Sequence, residues 1–169
     1  MIVEGGHLHA FGEAIPCVIG RGGIVGADAK REGDGASPRG VWPVRAALLR
    51  PDRVAAPATR LPQRMQLPWR WLRPSDGWSD DPADPAYNRP VSHPHGFSAE
   101  RLWREDHVYD AIVVLGHNDA PPVAGLGSAI FLHATQPDRR PTEGCVAVEL
   151  GALLGLIGRL EAGATLTVA

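Results

Sequence analysis

"FLHATQPDRRPTEGCVAV" (Phe131–Val148) runs from an apolar segment into a histidine, His133, and after a loop with two prolines and two arginines reaches Gly144, Cys145 and a second apolar run. The pattern is that of two short strands with a long connection, and it puts a base and a thiol at facing ends. A thiol does nucleophilic work when a base or a positive charge stabilises its thiolate. Gly144 lets the backbone turn sharply, so that amide N–H groups approach a reacting carbonyl as an oxyanion hole requires. A cysteine in an apolar strand is otherwise a small buried hydrophobe. That plainer reading suits the second cysteine, Cys17, in "IPCVIG", which has no histidine beside it.

Outward from this stretch the chain reads as mainly β with a few helices. "DAIVVLGHN" and "GSAIFLHA" are rich in Ile and Val and end in His117 and His133. Leu150, Leu153, Leu154, Ile157 and Leu160 follow the i, i+3, i+4, i+7 spacing of a helix face, which Gly163 is expected to end before a last strand, "ATLTVA". Upstream, Ala14–Gly20 and Gly40–Leu49 are strand candidates on either side of a Gly-rich loop. The segment from Pro51 to His107 holds four of the five tryptophans and many prolines, with poor periodicity. A loop region of that length belongs to a lid, a binding surface or disorder. The tryptophans argue for an ordered cap, because disorder would leave their large apolar area wet.

The chain of 169 residues fits one domain, residues 1–169, with the capping insertion at about 51–107. A formal charge of −2 gives no electrostatic reason to expect nucleic acid. No run approaches the roughly 20 apolar residues that span a bilayer, and the N-terminus lacks the basic and apolar regions of a secretory signal. Two cysteines do not make the disulfide framework of a small secreted fold. "HLH" (His7, His9) and "HPH" (His93, His95) offer paired imidazoles, with His107, His117 and Cys145 available to complete a set. No His-Glu-x-x-His or Cys-x-x-Cys spacing accompanies them, so no metal and no cofactor is expected.

"HATQPDRRPTEGCVAVEL" resembles the signature of the YkuD-type L,D-transpeptidases, a His followed after a variable loop by Ser/Thr-His-Gly-Cys. Here the residues are His133, Thr142 and Gly144-Cys145, with Glu143 replacing the second histidine. "KREGDGASPRGVWPV" resembles the family's Lys/Gly-rich stretch ending in Thr-Pro-x-Gly, here Ser37-Pro38-Arg39-Gly40. Roughly Pro51 to Glu105 is unmatched.

The resemblance implies a β-sandwich-like catalytic domain that cross-links peptidoglycan stem peptides through a cysteinyl acyl-enzyme, in the periplasm or cell wall of a Gram-negative bacterium. Cys145 would be the nucleophile and His133 the base, its tautomer fixed by the backbone carbonyl of Ala134. The N–H groups of Gly144 and Cys145 would hold the oxyanion. Thr142, Arg139, Arg140, His117, Trp69 and Trp71 become substrate-binding candidates, with Trp78 beside them, and the Trp-rich segment a cover that keeps water from the acyl-enzyme. Glu143 beside the thiol disfavours thiolate unless Arg139 or Arg140 pairs with it. Its presence resembles the alpha- and betaproteobacterial branch that makes 1,3-type (L-Ala–diaminopimelate) cross-links, which are favoured over the 3,3-type. The alternatives are a hydrolase of peptidoglycan stems and a non-catalytic peptidoglycan-binding module.

Overall fold

The structure, a computed structural model, describes residues 1–54 and 65–169. The part of the expected cap from 55 to 64 lies outside the described residues. Thirteen strands and two short helices are present among them: β1 Ile2–Glu4, β2 His7–Ala10, β3 Glu13–Val18, β4 Ile24–Gly26, β5 Ser37–Leu49, α1 Pro51–Val54, β6 Trp69–Trp71, β7 Asp76–Ser79, β8 Pro90–Ser92, β9 Ala99–Arg101, β10 Ala111–Leu115, β11 Phe131–Ala134, β12 Val146–Val148, α2 Leu150–Ile157 and β13 Thr165–Val168. The fold is mainly β, as its short Val- and Ile-rich runs between Gly and Pro dictate.

Two strands build both layers. The N-terminal half of β5 pairs with β13 from Gly40 to Pro43, and its C-terminal half pairs with β10 from Val44 to Leu49. At the opposite corner β3 pairs with β2 through Glu13–Pro16 and with β12 through Cys17 and Val18. The order β10-β11-β12-β3-β2-β1-β13-β5, with β10 also bonded to β5, therefore closes on itself. Closure leaves few free edges. Between the layers lies the main core, with Val3, Leu8, Leu49, Val113, Leu132, Val146 and Leu166 all buried.

The layer built from β5, β10, β11 and β12 is buried on both faces. Alternate residues divide cleanly: Leu132 and Ala134 enter the main core, while Phe131 enters a second cluster with Leu48, Ile112, Val114, Tyr109 and Cys145. The second cluster is covered by a three-stranded sheet of order β8-β7-β9, whose Trp78 meets Phe131 edge to face at 5.2 Å. The Pro/Trp-rich segment thus contributes the strands that lie over this outer face.

Helix α2 packs on β10 and β11 through Leu153, Leu156 and Ile157. Glu149 caps it by accepting from Ala152 N at 3.0 Å. The helix stops at Ile157, short of the expected end at Gly163. Gly158 closes it with its N–H on Leu154 O, and Gly163, at φ 87°, belongs to the turn into β13.

Leu132 is fully buried and centred in the main core. Leu132→Ala is expected to lower the unfolding free energy by about 2–5 kcal/mol, seen as a lower denaturation midpoint at unchanged denaturant slope. A loss below about 0.5 kcal/mol would contradict this packing.

Candidate active site

Strands β11 and β12 are parallel, with His133 opposite Ala147. Partners in a parallel pair point to the same face, and so do residues two apart on one strand. Phe131, His133, Cys145 and Ala147 therefore share the outer face, and the last three line one cavity of about 720 Å³. Ala147 is the small residue between base and thiol.

Cys145 is held from two sides. Its Sγ donates to Ala129 O at 3.2 Å and accepts from Phe131 N at 3.3 Å. The backbone behind it is gripped by two hydroxyls. Thr142 Oγ1 donates to Cys145 O at 2.6 Å, and Ser37 Oγ donates to Gly144 O at 2.8 Å. Gly144 N–H points back to Thr142 Oγ1 at 3.2 Å. Gly144 has φ 134°, and a Cβ there would sit 2.9 Å from Ala36 O. Only glycine fits the turn that presents the cysteine.

The His133 ring is buried. Its Nδ1 lies 2.9 Å from Ala134 O, which makes Nδ1 the protonated nitrogen of the neutral ring and leaves Nε2 unprotonated. Tyr109 packs edge-on against the ring at 5.3 Å. Burial lowers the imidazole pKa to about 4 and raises the thiol to about 12, with Glu100 adding to the second shift. The resting pair is thus neutral thiol and neutral imidazole.

The remaining sequence candidates divide. Thr142 and Arg140 line the cavity, whereas Arg139 is exposed on the same loop and does not. His117 is buried two residues past the end of β10, bonded through Nε2 to Leu126 O at 2.9 Å and packed edge-on against Trp42. It lies outside the cavity lining. Trp69 and Trp71 stand opposite Ala47 and Leu49, residues of the main-core face, and pack there with each other at 5.1 Å. That register puts both on the opposite side of the layer from the cavity, in contrast to the expectation that they line it. Glu143 is paired with Arg21 at 2.8 and 2.9 Å, rather than with Arg139 or Arg140, because the Gly20–Thr142 bridge brings Arg21 alongside.

Several lining residues carried no sequence signal. Tyr109 and Val108, from the turn before β10, and Asp80, Glu100, Arg101 and Arg104, from the three-stranded sheet and its ends, form the far wall. Glu32 and Ser128 complete it. Lys30, fully buried, is bonded to Asp34 and to Arg31 O, and its charge partly offsets the rise of the Cys145 pKa. Among the described residues no group of three or more His, Cys, Asp or Glu side chains is placed to hold a metal ion.

The model of the L,D-transpeptidase catalytic domain (YkuD) matches residues 2–168, essentially the whole chain. Searches of curated proteins and of solved structures each returned no match. The chain belongs to the YkuD L,D-transpeptidase catalytic-domain family.

Alkylation proceeds through the thiolate, so a thiol with a pKa near 12 gains about tenfold in rate per pH unit. The iodoacetamide reaction at Cys145, followed by peptide mass, is expected to keep rising from pH 7 to 10. A plateau at or below pH 8 would show a thiolate stabilised beyond what this environment provides.

Proposed function

We propose that this family member is a peptidoglycan L,D-transpeptidase whose thioester forms on Cys145. The observation that carries the reading is the tautomer-fixed His133 facing the cavity that holds Cys145. Cys145 Sγ attacks the carbonyl on the N-terminal side of a D-residue in a donor stem while His133 Nε2 takes the thiol proton. The proton then passes to the leaving amine as the C–N bond breaks, giving the thioester. An acceptor amine attacks the thioester carbonyl. Its proton passes to His133 and on to sulfur as the C–S bond breaks, which restores the neutral pair.

A thiol near 12 and an imidazole near 4 do not form a resting ion pair, so proton transfer accompanies attack. The oxyanion faces the N–H groups of Gly144 and Cys145, the first held only at 3.2 Å by Thr142. Arg140 offers its guanidinium to a stem carboxylate, with Arg139 at the mouth of the same loop.

Residues 1–169 act as one catalytic domain, and the segment 51–107 serves as a cap over the acyl-enzyme. Family membership places the work on cell-wall peptidoglycan, outside the cytoplasm, and the periplasm of a Gram-negative bacterium is the proposed site. Among the described residues no helix is long and apolar enough to cross a membrane. The 1,3-type cross-link is preferred over the 3,3-type because Glu143 stands where the second motif histidine would be.

Incubation with purified disaccharide-tetrapeptide is expected to give dimers with the parent protein and none with Cys145→Ala. Shortened monomers alone would make the protein a hydrolase, and unchanged substrate would make it a binding module. His133→Ala is expected to lower kcat by about 10²-fold or more. Because His133 must be neutral to accept a proton and its pKa is lowered, kcat/KM should hold through pH 6 and fall only as pH approaches about 4. An acid limb near 6.5 would contradict a buried base.

A further inference from the structure

The cavity that holds Cys145 and His133 is lined by three carboxylates with no salt bridge among the described residues, the Arg104 charge offsetting only part of the rise at Glu100. Glu100 accepts a hydrogen bond from Tyr109 OH at 2.6 Å, and Glu32 accepts from Tyr87 OH at 2.5 Å and Ser128 Oγ at 2.7 Å. Asp80 Oδ1 is buried with no hydrogen-bond partner. All three residues line the cavity of Cys145 and His133. Nearby cations are engaged elsewhere: Arg104 with Asp106 through two bonds of 2.6 and 2.8 Å, Lys30 with Asp34.

Partly buried carboxylates without a salt bridge are costly, and here the cost is compounded. Burial raises the Glu100 pKa, the Tyr109 hydroxyl and the Arg104 charge draw it back, and Asp80 and Glu32 add repulsion, while Glu100 in turn opposes the thiolate of Cys145. A structural core gains nothing from such a group next to its nucleophile. A substrate cation offsets all three repulsions at once. Among the described residues no group of three acidic side chains is placed to hold a metal ion, but Glu100 and Glu32, each held by a hydroxyl, keep acceptor capacity for the N–H donors of a primary ammonium.

Resting on the transpeptidase reading above, we propose that Glu100, supported by Asp80 and Glu32, is the specificity determinant that holds the ammonium of the acyl acceptor. Glu100 is bonded to Tyr109 OH at 2.6 Å, and Tyr109 packs on the His133 ring at 5.3 Å, so an ammonium held by Glu100 shares the cavity in which the thioester forms. Arg101 and Arg140 line the same cavity with no ion-pair partner among the described residues, and they supply the complement for a neighbouring carboxylate. The preferred acceptor is therefore a primary amine flanked by a carboxylate, an α-amino-acid centre on a stem peptide. Excess acceptor proton passes to Glu100 or to water before attack, leaving the neutral amine as nucleophile.

The test uses binding, so that it does not depend on turnover. In the full chain carrying Cys145→Ala, calorimetry compares a disaccharide-tripeptide acceptor with the same compound N-acetylated at its free amine. Acetylation is expected to weaken binding at least tenfold, and adding Glu100→Gln should abolish that discrimination. If Glu100→Gln does not fold, Asp80→Asn is expected to reduce the same ratio severalfold. Equal binding of the two compounds to the protein with Glu100 intact, or an undiminished preference in the Glu100→Gln variant, would overturn the proposal. In active protein, Glu100→Gln should lower the ratio of dimer to hydrolysed donor, whereas a purely structural role would lower both products together. Ammonium discrimination without Cys145-dependent product would sink the transpeptidase reading alone, and product without discrimination would sink this inference alone.

Discussion

The parallel pairing of β11 with β12 is the constraint on which the site depends. Parallel neighbours cannot be joined by a tight turn, so the chain must leave the sheet and return in the same direction. Residues 135–145 make that return without a helix, and they arrive with Cys145 two positions before Ala147, the partner of His133. Parity then does the rest. A slip of one residue in either strand would send base or thiol into the main core. The grip of Ser37 and Thr142 on the carbonyls of Gly144 and Cys145 fixes that arrival point, and the Gly20–Thr142 bridge ties the loop to the opposite corner of the sheet.

A layer buried on both faces gives the site its electrostatic character. Once Trp78, Tyr109 and Leu102 cover the outer face, charge on either reacting group is penalised. Burial moves the thiol up and the imidazole down, so the resting enzyme stores no ion pair and exposes no reactive thiolate. On the proposed mechanism the Cys145 thiol becomes competent when a substrate carbonyl is in place to receive it. Carboxylates along the cavity fit the same logic, since no salt bridge among the described residues neutralises them and the Arg104 charge offsets only part of the rise at Glu100.

Much of this was legible in the sequence, and the limits have physical causes. The motif residues His133, Thr142, Gly144 and Cys145 lie in one short stretch whose strand-loop-strand pattern is local. The amphipathic spacing from Leu150 located α2, though not its end, because Gly158 and Gly163 are equally plausible stops when only spacing is read. The side of the layer on which Trp69 and Trp71 lie is not legible in the sequence, because composition gives no register. Their pairing with Ala47 and Leu49 is a tertiary fact. The loop sequence offers Arg139 and Arg140 as partners of Glu143, whereas Arg21 reaches it from the other end of the chain. Glu32, Asp80 and Glu100 come from three separate segments and carry no motif at all.

In the proposed reaction the acyl group is carried by Cys145, a buried thiol, and not by Cys17. Intact mass after brief exposure to a tetrapeptide donor without acceptor, followed by peptide mapping at mildly acidic pH, reads this directly. One adduct with the mass of the donor acyl group is expected on the peptide containing Cys145, absent in His133→Ala over the same interval. An adduct on Cys17, or an acyl-enzyme that forms equally fast without His133, would contradict it.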